Sequence, residues 1–347
     1  MNQFDKRGFP PLLQEDHPYI FVDTCMQAWP DADYENAHKL GCTAFAVTAW
    51  EPNVPPEQAL EEAMVWHHVA RHHENLSVAT TVEEIREAKQ AGKSVFILTS
   101  QDGDFLSNRI EYLELFHKIG LRIMLPVYNS TNLLGDGCLD VTDRGLTRFG
   151  HAVVEEANRL GIVLDGTHTG KRTTMDMMAA SEQPMIFSHC NPSALFPSPR
   201  NIDDEQILAC HAGGGVIGVV PWGPLVVREG SQYQPRLTDL LDAVDYIADL
   251  TGTIDSVGIG TDFSIGTYGP HGNDLWGKPI SLAPLMERYT AHTRMDLNAY
   301  EGFTQGFAVY PHITNFIAGM EERGYTREEI GKVVGENFLR VFAAVWK

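Results

Sequence analysis

Eight short runs of apolar residues divide the chain: YIFVDT (19–24), AFAVTAW (44–50), SVFILTS (94–100), RIMLPVY (122–128), GIVLDGT (161–167), PMIFSH (184–189), GVIGVV (215–220) and SVGIGT (256–261). They are rich in Val, Ile and Phe and nearly continuous, as strands buried on both faces are. Between them lie segments with helical spacing, such as EQALEEAMVWHHVARHHENL before the third run and GLTRFGHAVVEEANRLG before the fifth. Strand and helix therefore alternate from end to end, which predicts parallel βα units rather than a sandwich or a bundle. Eight such units predict a (β/α)8 TIM barrel, an α/β fold, as a single domain over 1–347. YTREEIGKVVGENFLRVFAAVW, near the C-terminus, predicts a closing amphipathic helix with Thr326 as its N-cap. The stretch 263–295 is rich in Gly, Pro and aromatic residues and predicts a loop insertion over the barrel mouth.

Composition narrows the function. With 43% hydrophobic and 21% charged residues, the chain can bury a sizeable core. A net charge of -20 argues against nucleic acid and anionic membrane as partners, because both recruit clustered Lys and Arg. No run approaches the roughly 18 apolar residues that span a bilayer, and the first residues lack the apolar stretch of a secretion signal; the expected location is cytoplasmic. Cys25, Cys42, Cys138, Cys190 and Cys210 form no C-x-x-C pair, so neither a disulfide framework nor a zinc ribbon is indicated. They read as small buried hydrophobes.

The chemistry gathers where the runs end. Cys25 and Gln27 follow the first, Gln101 and Asp102 the third, Tyr128 and Asn129 the fourth, and His168, His189, Trp222 and Asp262 the fifth to eighth. In a barrel all of them open onto one mouth. Imidazoles on successive strands, with the carboxylate of GIGTDF, suggest a metal that lowers the pKa of water towards about 7. The plainer alternative is a strand-end His that bonds a neighbouring carbonyl. Arg200, in the loop after the sixth strand, either clamps a substrate carboxylate or contacts Asp203 or Asp204 at a helix start. His67, His68, His72 and His73 crowd one helical segment and read as a solvated or partly buried face, and His117, His151 and His211 also fall on helical segments. GGGV at 213–216 lacks the context of a dinucleotide site and reads as a tight turn. No G-x-S-x-G elbow is present.

YNSTNLLGDGC, DRGLTRFGHAVVEEANRLGIVLDGTH, FSHCNPSALFPSPRNIDDEQI, GGGVIGVV, VGIGTDF and RGYTREEIGKVVGENFLRVF together resemble the membrane (renal) dipeptidase family, peptidase family M19, of the amidohydrolase-like metal-dependent hydrolases, in its bacterial branch. The resemblance implies a distorted barrel, often dimeric, with two zinc ions bridged by a carboxylate and a hydroxide, that cleaves dipeptides and, in some members, other small amides. By position it makes His168 and His189 paired ligands of one metal, sets Asp262 beside the other, and gives Arg200 the substrate's C-terminal carboxylate.

The first half departs from this pattern. Where the family has Asp-Gly-His-Asn-Asp, the chain has Asp23-Thr24-Cys25-Met26-Gln27, and Gln101 stands where the bridging Glu is expected. Asp102 is adjacent, but a shift of one residue turns a strand side chain to the other face. A neutral amide cannot offset two dications held within about 4 Å, whereas Cys25 can ligate as a thiolate. A His that contacts the reacting carbonyl in mammalian relatives is replaced here by Tyr128, which can donate to an oxyanion.

The expectation is a dipeptidase-like metallohydrolase with a degraded two-metal site and one zinc ion, two or none being the alternatives. His168, His189 and Asp262 lead the metal-ligand candidates, with Cys25 and Gln101 behind them. Asp262 and Tyr128 are the catalytic candidates, and Arg200, Tyr128 and Asn129 hold a small substrate bearing a carboxylate. A homodimer is expected. Two competing readings are a family member turned to lyase, isomerase or biosynthetic tailoring chemistry, in which Cys25, Tyr128 and Asp262 move protons or attack, and a binding protein without turnover.

Overall fold

The structure, a computed structural model, describes residues 17–28, 32–231, 233–265 and 302–347. All eight apolar runs contain strands: β1 (Val22–Ala28), β2 (Ala44–Thr48), β4 (Ser94–Ser100), β5 (Leu121–Met124), β6 (Val163–Leu164), β7 (Ile186–Phe187), β8 (Val216–Val219) and β9 (Val257–Ile259). Two short strands join them, β3 (Leu76–Val78) and β10 (Phe263–Ile265). Every ladder is parallel, in the order β10-β1-β2-β4-β5-β6 with β3 on β4, and separately β7-β8-β9. A parallel bridge from Asp165 to Ile186 links the two sets. On the opposite side Thr24 Oγ1 donates to Ser188 O at 2.7 Å and to Ile259 O at 3.2 Å, which brings β1 against β7 and β9. The result is the expected (β/α)8 barrel, distorted by register shifts between β1 and β2 and between β4 and β5.

The two extra strands have simple causes. β3 pairs with the first half of β4, up to Phe96, and β5 takes over from Leu98, so one edge is shared in succession. β10 extends the barrel beside the end of β1, pairing Met26 with Phe263 and Ala28 with Ile265. The loop read over 263–295 therefore begins in strand; beyond Ile265 it lies outside the described residues.

Helices lie between the strands, among them α1 (Pro56–His72), α2 (Val82–Gln90), α3 (Glu111–Lys118), α4 (Arg148–Leu160), α5 (Lys171–Ala180), α6 (Asp204–Ala212) and α7 (Leu237–Thr251). Strand residues alternate between two cores. Phe45, Val47, Phe96 and Leu98 pack outward with Ala59, Ala63 and Trp66 of α1. Val22, Ala44, Ala46, Val95, Ile97, Ile123, Val163, Ile186 and Val216 form one cluster with Phe338, Leu339, Phe342 and Val345 of the closing helix. That helix starts at Thr326, whose side chain accepts from Glu329 N in a reciprocal capping box, and passes through a π turn at Lys332–Glu336. It seals the end of the barrel where the strands begin, so the site is left to the other end. Among the described residues no helix is long and apolar enough to cross a membrane.

Candidate metal centre

The strand ends are shaped by buried aspartates. Asp23 Oδ1 accepts from Cys25 N at 3.2 Å and Thr261 N at 2.7 Å, and its Oδ2 accepts from Thr261 Oγ1 and Tyr310 OH, each at 2.6 Å. Asp165 Oδ1 accepts from Thr167 N at 2.9 Å and Ser188 N at 3.0 Å. Each carboxyl thus bonds its own strand two residues on and also a neighbouring strand, setting the residue before a site side chain. Burial raises the Asp23 carboxyl to about 6 against the pull of these donors, and burial raises Asp165 as well. Beyond the clamps the backbone turns sharply: Asn129, His168 and Asp262 have φ of 64°, 65° and 55°. Asn, Asp and His tolerate this left-handed region better than most residues, and a cost of about 1–3 kcal/mol each marks sites where side-chain aim matters.

Two imidazoles meet at the mouth. His168 Nε2 and His189 Nε2 are 3.0 Å apart, and both rings are buried. Arg200 Nη2 lies 2.9 Å from His168 Nε2. A guanidinium only donates, so that nitrogen accepts and the ring proton sits on Nδ1, donating to Asn129 Oδ1 at 2.7 Å. His189 Nδ1 is matched with Ser188 Oγ at 2.7 Å. Burial first, and then the Arg200 charge, hold both histidines well below their ordinary pKa, with His189 adding to the effect on His168. Both rings are therefore neutral at pH 7, with Nδ1 engaged and Nε2 turned to the mouth. This is the state in which imidazole binds metal, and the Nδ1 partner fixes its orientation.

The third group is a thiol and a carboxylate. Cys25 Sγ donates to Asp262 Oδ1 at 3.6 Å, and Gln101 Nε2 donates to Cys25 Sγ at 3.6 Å. Ligand atoms of Cys25, His189 and Asp262 all lie within 4.8 Å of one another. Burial pushes the Cys25 thiol well up, and the charge of Asp262 adds to it. Asp262 is itself raised to about 6 by burial, opposed by Arg200 and by hydrogen bonds from Cys25 and Gln27. A dication would reverse this balance, since it favours the ionised form of both groups. Neutral imidazole, thiol and carboxylate together fit a metal ion.

Tyr128 stacks its ring on His168, with centroids 4.2 Å apart. Beside them is a pocket of about 190 Å³ among the loops after β5, β6 and β7, with His168, Arg200, Cys138 and Thr167 on its wall. Arg200 Nη2 contacts His168 Nε2, and Asp203 caps α6 by accepting from Gln206 N. Asn129, read from sequence as a substrate contact, serves as the partner of His168 Nδ1. Gln27 bonds Thr48 Oγ1 as well as Asp262, and Asp102 turns away to the backbone of Asn53 and Asp104. Trp222 lies beside the mouth in a bridge to Phe303. His67 and His72 bond backbone carbonyls, and His73 pairs with Glu35.

Sequence reasoning missed Ser188, Cys138, Asp23 and Asp165. A usable signal was present for the two aspartates: each closes a β-branched run two or three residues before a site residue. Tyr310 carries no such signal, because it reaches Asp23 from 287 residues away.

The family model described as membrane dipeptidase (peptidase family M19) matches residues 35–296. Dipeptidase tcpJ of Claviceps purpurea is 24% identical over 276 residues, covering 78% of this chain and 56% of that protein. The chain thus spans a little over half the length of such curated relatives. Among solved structures, an amidohydrolase from Pseudomonas aeruginosa superposes with a TM-score of 0.82 at 28% identity, covering 94% of this chain and 97% of that one. A metallo peptidase from Rhodobacter sphaeroides, liganded with a phosphinate mimic of the dipeptide L-Ala-D-Ala, has the same fold, with a TM-score of 0.70 at 20% identity and coverage of 94% and 100%.

Proposed function

Because the chain belongs to the membrane dipeptidase family, peptidase family M19, we propose that its barrel mouth is the active site of a hydrolase that cleaves a dipeptide or a similar small amide with one zinc ion. The observation that carries this reading is the pair of buried, neutral imidazoles whose Nδ1 atoms are already engaged and whose Nε2 atoms face each other at 3.0 Å beside a carboxylate and a thiol. When bound, the metal supplies Lewis acidity and makes water a nucleophile near neutral pH.

The remaining roles fall to the chain's own groups. Asp262, raised to about 6 by burial, orients the attacking water and takes up its proton. Arg200, on the pocket wall and donating to His168, holds the substrate carboxylate by charge-assisted hydrogen bonds. Tyr128 is fixed by its stack on His168, and its hydroxyl donates to the oxygen on which charge develops. A pocket of about 190 Å³ admits only a small occupant, in keeping with the dipeptide mimic held by the Rhodobacter sphaeroides relative. Gln101 and Gln27 bring no negative charge, so they favour one ion over two.

The test uses the purified chain, stripped of metal and reloaded with zinc, against a panel of dipeptides and N-acylated amino acids. Hydrolysis is expected, with about one ion per chain, and His168→Ala should reduce it by at least about 100-fold. No amide cleavage by the loaded protein would overturn the assignment. Two tightly held ions would overturn the single-metal version.

A further inference from the structure

We propose that His68 and His72 form a separate metal site on the outer surface of α1, one that chelates a late first-row divalent ion such as nickel, copper or zinc. The site shares no residue with the mouth and does not depend on the hydrolase reading. The four histidines at the end of α1 differ in what the fold does with them. His67 Nε2 is engaged by Ile119 O at 2.7 Å, and His73 Nδ1 by Glu35 Oε2 at 3.1 Å. His68 and His72 are both exposed, and their rings lie 4.1 Å apart between centroids, tilted by 35°.

Four residues apart on one helix, the two side chains stand one above the other on the same face. Two imidazole nitrogens bound at about 2.1 Å to one ion are about 3 Å from each other, so rings this close need only side-chain rotation to share it. One ring is already oriented. His72 Nδ1 lies 2.8 Å from His68 O; a carbonyl only accepts, so Nδ1 carries the proton and the neutral ring keeps its lone pair on Nε2. Imidazoles that bind metal commonly have their other nitrogen held in this way.

The place in the fold suits a cation. Because α1 joins the parallel strands β2 and β3, it runs back along the barrel and ends where the strands begin, away from the mouth. His72 is in its last turn, where the partial negative charge of a helix C-terminus favours a positive ion. The net charge of -20 acts in the same direction. The inner face of α1 is fixed in the core by Ala59, Ala63 and Trp66, so the exposed pair projects from a rigid support. Imidazole suits nickel, copper and zinc, whereas magnesium and calcium prefer oxygen. Water completes the coordination, and an ion bound to this pair clips the end of α1 in its folded form.

The test titrates the zinc-loaded full chain with nickel(II) by calorimetry, so that whatever the mouth takes up is common to the native protein and its variants. The native chain should bind nickel with micromolar affinity and unfold at a higher temperature in its presence. His68→Gln and His72→Gln should each weaken that binding by at least about ten-fold, since either leaves a single imidazole in place of a chelate. Each should also abolish the thermal shift, with zinc content and the nickel-free unfolding temperature unchanged. His151→Gln supplies the control: His151 is exposed on α4 but has Thr147 and Glu155 one turn away on either side, and its loss should leave nickel binding as it was. No nickel uptake by the native chain overturns the site. So does uptake that survives both single substitutions, or that falls equally in His151→Gln, and none of these results touches the assignment of the mouth.

Discussion

At the scale of single residues, the site depends on groups that touch no substrate. Asn129 and Ser188 occupy the Nδ1 sides of His168 and His189 at 2.7 Å, and partners of this kind are commonly worth about 10–100-fold in metal affinity or activity. Ser188→Ala is expected to weaken zinc binding by about 10-fold or more, measured by competition with a chelating dye, with an unchanged unfolding temperature. Tyr128→Phe keeps the ring stack on His168 but removes the hydroxyl. It should lower kcat by about 100-fold at constant metal content if the hydroxyl meets the oxyanion, and an unchanged kcat would remove Tyr128 from that role. The strand-end histidines were legible because each stands at or just past the end of an apolar run. Their partners were not: Ser188 is hidden inside such a run, and the bond of Asn129 to His168 crosses from one strand end to the next.

At the scale of elements, the loop from 130 to 146 forms a pocket wall without strand or helix, and one carboxylate organises it. Asp136 accepts from Arg144 N, Nε and Nη2 and from Thr131 Oγ1. The Arg144 guanidinium, ahead of the other donors, holds this carboxyl well below the usual range. A depressed carboxylate contributes stability above its ordinary value near 3.8, and that contribution is lost as the pH falls through the folded-state value. Asp136→Asn is therefore expected to cost about 2 kcal/mol at pH 7, with the gap to the parent closing on acidification below about pH 4 in urea titrations. A gap independent of pH would show that the charge is not what holds the loop. The eight main strands were legible because burial on both faces makes them continuously apolar. β3 and β10, three residues each and carrying a serine, were not, since pairing with an existing edge rather than apolar pattern creates them.

At the scale of the whole molecule, closing the barrel and building the site are one event. Thr24 reaches Ser188 O and Ile259 O across the closure, and a Cβ at Gly260 or Gly218 would come within 1.8 or 2.1 Å of that same Ser188 carbonyl. Gly260→Ala must push the backbone beside His189 aside. It is expected to cost about 3 kcal/mol in thermal unfolding and to impair metal binding. Gly213→Ala, where a Cβ meets nothing closer than 3.6 Å, should change stability by less than about 0.5 kcal/mol. Equal effects of the two would refute the tight closure. The sequence by itself determined the alternation of strand and helix, the barrel, and the gathering of Cys25, Gln101, His168, His189 and Asp262 at one mouth, because burial and strand polarity are written locally, in apolar runs and in the one or two residues that end them. Only the tertiary structure decided how those groups meet one another. It placed Arg200 on His168 and set Cys25 against Asp262, and such distances depend on how strands far apart in the chain close around one axis.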